Sequence, residues 1–407
     1  MTPTFSVIIP VYGRWDLTHA CLVSLREHSS EHVYEVIVVD NASTDATAAE
    51  LAPLGQSLFG EAFSVIRFAE NRNFGPACNA GAAKARTPLL FFLNNDTLIT
   101  PDWAPPLLAA LQENDSLGAV GPLLLHEDNT VQHLGVSFNQ DGLFHLYQRF
   151  PAEHPVVFQP RRLQFITAAA LMLPRDLFFR IGGFYEEYRN GFEDMELSVR
   201  IRQAGKELQC IPSSVVYHLE SQSPGRGDGE AHNGALLYER CGKDMYIDIH
   251  HHGLKDGFHV FVDDLFSLSL RLTDEVEKEI TKHAEGKNPL EWLKIMHKHP
   301  FWTTGRDALA AKLEREGKYE EALPLRIELV NFLPLREHYI QLLRTSAKAG
   351  NADIIETART RLERIETLLN DRKTAAACVC KAKEWAKDGC DPVLSQLYDE
   401  KFAQLHP

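Results

Sequence analysis

The sequence predicts a mostly parallel, doubly wound α/β domain followed by an all-helical domain. Three observations carry this. Short, wholly apolar runs alternate with amphipathic helical stretches over the first hundred residues, the pattern of a parallel sheet covered on both faces. From about residue 258 the apolar period becomes helical throughout. And 407 residues exceed one ordinary core, so two domains are expected. We place them at residues 1–255 and 256–407.

The elements follow in order. Residues 5–11 (FSVIIPV) make the first strand. Trp15 to His28 form a helix with Leu17, Cys21, Leu22 and Leu25 on one face. Residues 34–39 (YEVIVV) make the second strand and Thr44 to Leu54 the next helix. Residues 63–68 are the third strand, Gly75 to Ala85 an alanine-rich helix, and 89–93 (LLFFL) the fourth strand. Val120–Leu125 and Gln164–Leu173 read as strands, with a loop-rich segment between them that holds His126, His133, His145 and His154. A helix over 191–205 ends at Gly205, and Leu208–Ile211 and Val215–His218 read as two strands. Residues 220–233 are polar and glycine-rich, as in a mobile loop. In the tail, Arg306 to Pro334 read as a helical hairpin turning at Gly317, with a weaker echo at Gly350, 33 residues on. That offset approaches the ~34-residue period of tetratricopeptide helix pairs; an irregular helical bundle is the alternative.

Composition narrows the function. With 44% hydrophobic and 24% charged residues, a sizeable core is available. A net charge of −14 argues against a nucleic-acid backbone as main partner, but not against a nucleotide. Seven scattered cysteines without a C-x-x-C pair fit a reducing compartment. The start, MTPTFSVIIPVYG, has no basic leader, and no run of about 18 apolar residues occurs. The expectation is a cytoplasmic chain with at most peripheral membrane contact. The internal run His250-His251-His252 is read as surface.

Polar residues cluster where strands end. Pro10, Tyr12, Asp40 and Asn94 to Asp96 all lie at or just after strand ends, where open α/β sheets bind ligands. Tyr12 offers an aromatic face, and Asp40 an acceptor for the imide N–H of uracil or thymine. A helix-capping role is the alternative for Asp40, although Asn41, Ser43 and Asp45 suit capping better. Asn71, Asn73, Gly75 and Asn79 precede or open the alanine-rich helix, where backbone can approach a ligand; capping by Asn73 is the alternative. Asn94-Asn95-Asp96 follows the fourth strand. One carboxylate plus a neutral ligand can hold a hard cation whose remaining sites are filled by phosphate and water. Glu193-Asp194 sits at a helix start, where acids either complement the dipole or supply a general base. Like charge between them would raise one pKa. His218 closes the last strand as a candidate ligand.

Four segments together resemble the family 2 glycosyltransferases: VIIPVYGRWDLTHACLVSL, VYEVIVVDNASTDATAAEL, NRNFGPACNAGAAKARTPLLFFLNNDTLITPDW and GGFYEEYRNGFEDMELSVRIRQAG. The resemblance covers roughly residues 5–240 and leaves out the C-terminal third. It implies a GT-A fold and inverting transfer from a nucleotide sugar. It carries nucleoside binding to Pro10, Tyr12 and Asp40, and nucleotide contacts to Asn73, Asn79, Asn94 and Asn95. It implies a divalent cation, Mn or Mg, on Asp96 and His218. It makes Asp194 the general base and Glu193 its acceptor-binding neighbour, and lets the 220–233 loop, with Arg226, fold over the diphosphate. Asn94-Asn95-Asp96 departs from the family's D-x-D by keeping only the last acid. That form is frequent among rhamnosyltransferase-like members; it weakens metal affinity and leaves a metal-independent route open. The donor is a UDP or dTDP sugar; the acceptor is a saccharide, a lipid-linked saccharide or a protein, as in cell-surface polysaccharide or protein glycosylation. The C-terminal helices would bind a protein partner or a second copy of the chain. Two rivals remain. Sugar-phosphate nucleotidyl transfer wants a glycine-rich basic loop after the first strand, and PVYGRWD is poor for it. A degenerate transferase could serve as a scaffold through its helical repeats.

Overall fold

The computed structural model describes residues 4–29, 34–219 and 229–405. Arg226 and most of the glycine-rich loop therefore lie outside the described residues. The chain divides into two units, Met1–Ser137 with Phe144–Met245, and Phe138–Leu143 with Tyr246–Pro407.

In the first unit, β1 (Phe5–Val11), α1 (Trp15–Glu27), β2 (Tyr34–Asp40), α2 (Thr47–Phe59), β3 (Phe63–Arg67), α3 (Phe74–Lys84) and β4 (Leu89–Leu93) alternate as the sequence predicts. There follow β5 (Thr97–Ile99), α4 (Ala104–Glu113), β6 (Leu117–Leu125), β7 (Val131–His133), β8 (Val136–Asn139), β9 (Gly142–His145), β10 (Ala170–Pro174), α5 (Arg175–Arg180), α6 (Glu193–Gln203), β11 (Glu207–His218) and α7 (Glu230–Cys241); the second half of β8 and the first half of β9 belong to the second unit. The main sheet runs β3-β2-β1-β4-β10-β6-β11-β5, with β7 beside β6. Strands β3, β2, β1 and β4 are parallel. β10 is antiparallel to β4 and β6, and β5 is antiparallel to β11. β6 and β11 are parallel as well, so the sheet is mixed, with its first four strands forming the parallel, doubly wound part.

The apolar runs are strands because both faces are covered. Val7, Ile9, Val36, Val38, Phe91 and Leu93 have no exposed surface, and burying each such side chain contributes about 1.5–3 kcal/mol. Gly81 lets α3 lie directly on this layer: a Cβ there would come within 2.4 Å of Ile8 and 3.3 Å of Val39. Connections from β1 run to β2 on one side, while β4 pairs on the other. That reversal opens a crevice beyond the carboxyl ends of β1, β2 and β4.

Two strand expectations change in detail. The Gln164–Leu173 strand begins only at Ala170, because the preceding backbone bonds elsewhere: Phe165 bridges to Val136, and the Ala169 carbonyl accepts from Asn94 N–H. The two strands expected over 208–218 are one strand, β11, with a register shift between Ile211 and Val215 around Pro212.

The second unit contains α8 (Ile249–Lys255), β12 (His259–Val262), β13 (Leu268–Arg271), α9 (Asp274–Ala284), α10 (Pro289–Lys298), α11 (Thr303–Arg315), α12 (Tyr319–Phe332), α13 (Arg336–Ala349), α14 (Ala352–Asn370), α15 (Arg372–Glu384) and α16 (Pro392–Leu405). Helix starts carry readable caps. Thr273 and Asn351 each accept from a backbone N–H of the first turn, and Asn288 forms a capping box with Glu291. Gly317 and Gly350 take φ of +75° and +71° between α11 and α12 and between α13 and α14, as turn glycines should. Leu323, Val330, Tyr339, Leu342, Ala358 and Ile365 share one core cluster.

The expectation of helix throughout from residue 258 is corrected here. β12 and β13 form an antiparallel hairpin, Val260 opposite Leu270 and Val262 opposite Leu268. Asp263 organises its turn, accepting N–H bonds from Leu265 and Ser267 and the Ser269 hydroxyl. Its burial pushes the carboxyl up to about 7. The reading of His250-His251-His252 as surface is corrected as well: His250 and His252 are buried and only His251 is exposed. The first turn of α8 turns the outer two inward.

Candidate active site

The nucleoside end of the crevice is built by the β1 and β2 termini. Pairing of β1 with β2 sets Val11 opposite Asp40. Pro10 is half-buried in β1, and Tyr12, just past it, is 52% exposed, an aromatic face open to a ligand. Gly13 and Arg14 both have positive φ, 62° and 53°, so the chain turns sharply after Tyr12, and the Gly13 N–H donates to Ser43 Oγ at 2.8 Å. Asp40 is buried. One of its oxygens accepts the Ser43 N–H at 2.8 Å and the other faces Arg67 at 3.3 Å. Its acceptor capacity is thus partly committed to its own turn. Asn41, expected as a cap, instead joins β2 to the next loop: it donates to the Asn73 carbonyl at 2.9 Å and accepts the Arg72 N–H at 2.8 Å. Asp45 takes the cap-like bond from Thr47.

Asn73 stands at the α3 N-cap with φ 66° and no side-chain cap bond. The capping bond comes from Asn190, whose Oδ1 accepts the Phe74 N–H at 2.9 Å. A non-glycine residue with positive φ is strained backbone, and here the strain falls at the turn into α3. Asn79 differs. Its amide donates to the Phe184 carbonyl at 2.8 Å and to Glu186 at 3.0 Å, and accepts the Phe184 N–H at 2.9 Å. It acts as a positioning residue for the loop before α6. Asn95 donates to Thr18 Oγ1 at 2.9 Å and so ties the β4 end to α1.

Asp96 and His218 come from opposite ends of the chain, and the sheet brings them together. β5 pairs antiparallel with β11, setting His218 opposite Thr97. His218 Nε2 lies 3.1 Å from Asp96 Oδ1 and 3.4 Å from Asn94 Nδ2. Both side chains are largely buried. Gln132 orients the ring. Its Nε2 donates to the His218 carbonyl at 2.8 Å, which points its Oε1 at His218 Nδ1, 2.7 Å away. Gln132 Oε1 thus accepts from His218 Nδ1–H, and Nε2 is the ring nitrogen that faces Asp96 and would reach a metal. Asn94 Oδ1 is buried with no hydrogen-bond partner among the described residues. A carboxylate and an imidazole nitrogen 3.1 Å apart and largely buried, with the Asn94 amide beside them, form a donor set that fits a divalent cation.

Glu193 and Asp194 open α6, after Asn190, Gly191 and Phe192, all with positive φ. Glu193 is buried and accepts the Gly191 N–H at 2.6 Å. Asp194 Oδ2 accepts the Ala168 N–H at 3.0 Å and Oδ1 the Met195 N–H at 2.9 Å. Desolvation raises its carboxyl above the ordinary range, although these bonds and the Thr167 hydroxyl oppose the rise. The segment Thr167–Ala169 links the two halves of the site. Ala169 receives the Asn94 N–H, Ala168 binds Asp194, and the Thr167 N–H points at His133 Nε2, 3.4 Å away. His133 in turn meets His145, Nδ1 to Nδ1 at 2.9 Å. Burial first, then the charges of His145 and His218, hold His133 well below its usual pKa. It stays neutral and keeps a lone pair for Thr167.

Sequence reasoning missed Gln132, His133 as more than a loop residue, Asn190, Asn233, Glu196 and Arg14. Asn233 of α7, buried, clamps Arg189 by accepting its N–H at 3.0 Å and donating to its carbonyl at 3.2 Å. Glu196 is buried between Arg200 and Arg240, at 2.6 and 2.7 Å, and fixes α6 against α7. Arg14 has its pKa raised first by its bond to Asp16 and also by the charge of Asp96, so a cation stands near the metal-type pair. These roles depend on contacts between distant segments, and no local pattern announces them. The exception is Glu196 and Arg200, whose spacing of four on a helix is a legible pair.

Residues 6–181 match the family described as "Glycosyl transferase family 2"; Asp194 and His218 lie beyond the matched residues. The chain is 32% identical over 235 residues to "Uncharacterized protein y4gI" of Sinorhizobium fredii, covering 56% of this chain and 26% of that protein. It is 32% identical over 231 residues to "O-antigen biosynthesis protein RfbC" of Myxococcus xanthus, covering 54% of this chain and 18% of that protein. The chain thus spans about a quarter or less of the length of these relatives. Among solved structures, GalNAc-T7 with UDP, GalNAc and Mn2+ aligns with a TM-score of 0.49 at 16% identity, covering 73% of this chain and 55% of that one.

Proposed function

We propose that the chain, whose residues 6–181 match the family described as "Glycosyl transferase family 2", transfers a sugar from a UDP or dTDP sugar to a hydroxyl acceptor, with inversion. The observation that carries the reading is the meeting of Asp96 and His218, with the Asn94 amide beside them, at the carboxyl ends of the strands. Asp96 and His218, with Asn94 beside them, would hold a divalent cation, Mn or Mg. Such a cation supplies neutralisation of the departing diphosphate. Tyr12 stacks on the base, while Pro10 and Asp40 shape the nucleoside end, and Asn73 lies beside the nucleotide. Arg14, close enough to feel the Asp96 charge, adds a positive charge on the diphosphate side.

Asp194 is the general base. Its raised carboxyl is better matched to taking a proton from a sugar hydroxyl near neutral pH than an ordinary aspartate would be. Glu193 holds the Gly191 turn and so shapes the acceptor side. The two N–H bonds to Asp194 fix its oxygens, and the Thr167–Ala169 segment keeps it in register with Asn94. A saccharide acceptor of a cell-surface polysaccharide is supported by the name of the Myxococcus relative, an O-antigen biosynthesis protein. The second unit, with its hairpin-like helix pairs, is proposed to engage a protein partner or a second copy. Among the described residues no helix is long and apolar enough to cross a membrane. Incubating the full chain with a panel of nucleotide sugars and Mn2+, and reading nucleoside diphosphate release, tests the proposal. Release that depends on one donor and on an added acceptor supports it; no release from any donor sinks it.

A further inference from the structure

We propose that the second unit holds its own transition-metal site, made by His250, His251 and Asp391, suited to Zn2+ and separate from the catalytic site. The two histidines lie in the first turn of α8, after Ile249, and Asp391 stands immediately before α16. His250 Nε2 and His251 Nε2 lie 2.8 and 3.0 Å from the same Asp391 oxygen. The three ligand atoms all fall within 4.8 Å of one another. Ligands about 2.0–2.1 Å from a tetrahedral zinc stand roughly 3.3 Å apart, so the two histidine–aspartate contacts need open by only a few tenths of an ångström, while the two histidine nitrogens, within 4.8 Å of each other, adjust by ring rotation. The imidazole rings are already gathered, their centroids 3.9 Å apart.

The donor set is two imidazoles and one carboxylate, which favours zinc-like ions over magnesium or calcium. His250 and Asp391 are buried, while the His251 side chain is 47% exposed. The site is therefore anchored from below and open on one side, which gives the ion an entry path and leaves a fourth position for water. Asp391 is itself held, because its other oxygen accepts the Leu394 N–H at 3.0 Å and caps α16. His250 Nδ1 is buried with no partner among the described residues. In the metal-free chain its proton therefore rides on Nε2, where Asp391 accepts it, and the metal must displace that proton. A ligand histidine without an acceptor behind it binds less tightly than one that has it. The ion would join residues 250 and 391, far apart in sequence, and so brace α8 against the start of α16.

The test uses the full chain carrying Asp96→Ala, which removes the catalytic-type site, and compares it with the same chain carrying His251→Ala in addition. His251 is exposed, so its loss should not unfold the unit; circular dichroism checks this. Zn2+ alone is titrated by calorimetry, and cobalt(II) is added in parallel for its tetrahedral visible absorption. The expected result is one zinc per chain in Asp96→Ala, with affinity lowered at least about tenfold by His251→Ala, since even an indirect supporting partner is worth about 10–100-fold. The cobalt spectrum should change from tetrahedral to weakly bound. Equal zinc affinity in the two chains, or no stoichiometric zinc in Asp96→Ala, overturns the proposal.

Discussion

Replacing Asp194 by asparagine separates the proposed base from its surroundings. In the native site both carboxylate oxygens accept backbone N–H bonds, from Ala168 at 3.0 Å and Met195 at 2.9 Å. Asparagine keeps the shape and one of the two acceptors, and its NH2 group faces the other N–H. The structural cost is one lost hydrogen bond with an unsatisfied donor, about 1–3 kcal/mol, within the 5–15 kcal/mol typical of a domain. The variant should therefore fold. Donor binding should be nearly unchanged, because Asp194 is not among the Asp96, His218 and Asn94 group. Transfer should fall by about 10²–10⁴-fold, roughly 2.7–5.4 kcal/mol of barrier. Nucleoside diphosphate release with saturating donor and acceptor reads kcat, and thermal stabilisation by the donor reads binding. In the native enzyme kcat should fall on acidification at a pH above the ordinary aspartate range, because desolvation raises this carboxyl and protonation removes the base. Asp194→Asn turnover within a few-fold of native would refute the assignment and turn attention to Glu193.

Three further outcomes follow from the same geometry. His133→Phe removes the acceptor for the Thr167 N–H and should lower kcat about tenfold, near 1.4 kcal/mol, with donor affinity unchanged; a matched fall in affinity would point to general misfolding instead. Asn233→Ala frees both backbone groups of Arg189 and should cost about 1–3 kcal/mol of stability, read by chemical denaturation; an unchanged midpoint contradicts the clamp. For Asp263, whose folded pKa is raised to about 7, protonation favours the folded state. Its stabilising contribution is full below about pH 4, the unfolded value, and is lost as pH rises through about 7. Asp263→Asn, which mimics the protonated form, should flatten that part of the stability profile; a profile identical to native contradicts the buried-turn account.

The parallel half of the fold was legible because burial on both faces writes itself as uninterrupted apolar runs, as in YEVIVV and LLFFL. Those runs also fixed which polar residues sit at strand ends, so Tyr12, Asp40 and Asp96 were found together. The antiparallel insertion of β10 was not legible, since a strand's partner is a long-range choice. The β12–β13 hairpin hid for another reason: two four-residue strands with a period of two are short beside the helical windows that flank them. In the site, Asp96 and His218, read from sequence as partners on one ion, lie 3.1 Å apart because β5 pairs with β11. Asn79 and Asn95 read as ligand contacts in the sequence; in the structure the Asn79 amide holds Phe184 and the Asn95 NH2 donates to Thr18. An asparagine's type does not say which of its possible partners it meets. Gln132, Asn190 and Asn233 act through single contacts between segments far apart in sequence, and no spacing rule reaches those.

The central claim is that Asp96 and His218 hold a divalent cation on which donor binding depends. Calorimetric titration of UDP and of dTDP into the full chain, with Mn2+ and with chelator, tests it most directly, using Asp96→Ala and His218→Ala beside the native chain. We predict binding of at least one nucleotide with Mn2+, a large loss of affinity with chelator, near abolition in Asp96→Ala and clear weakening in His218→Ala. Nucleotide affinity indifferent to Mn2+ and to both substitutions would contradict the account.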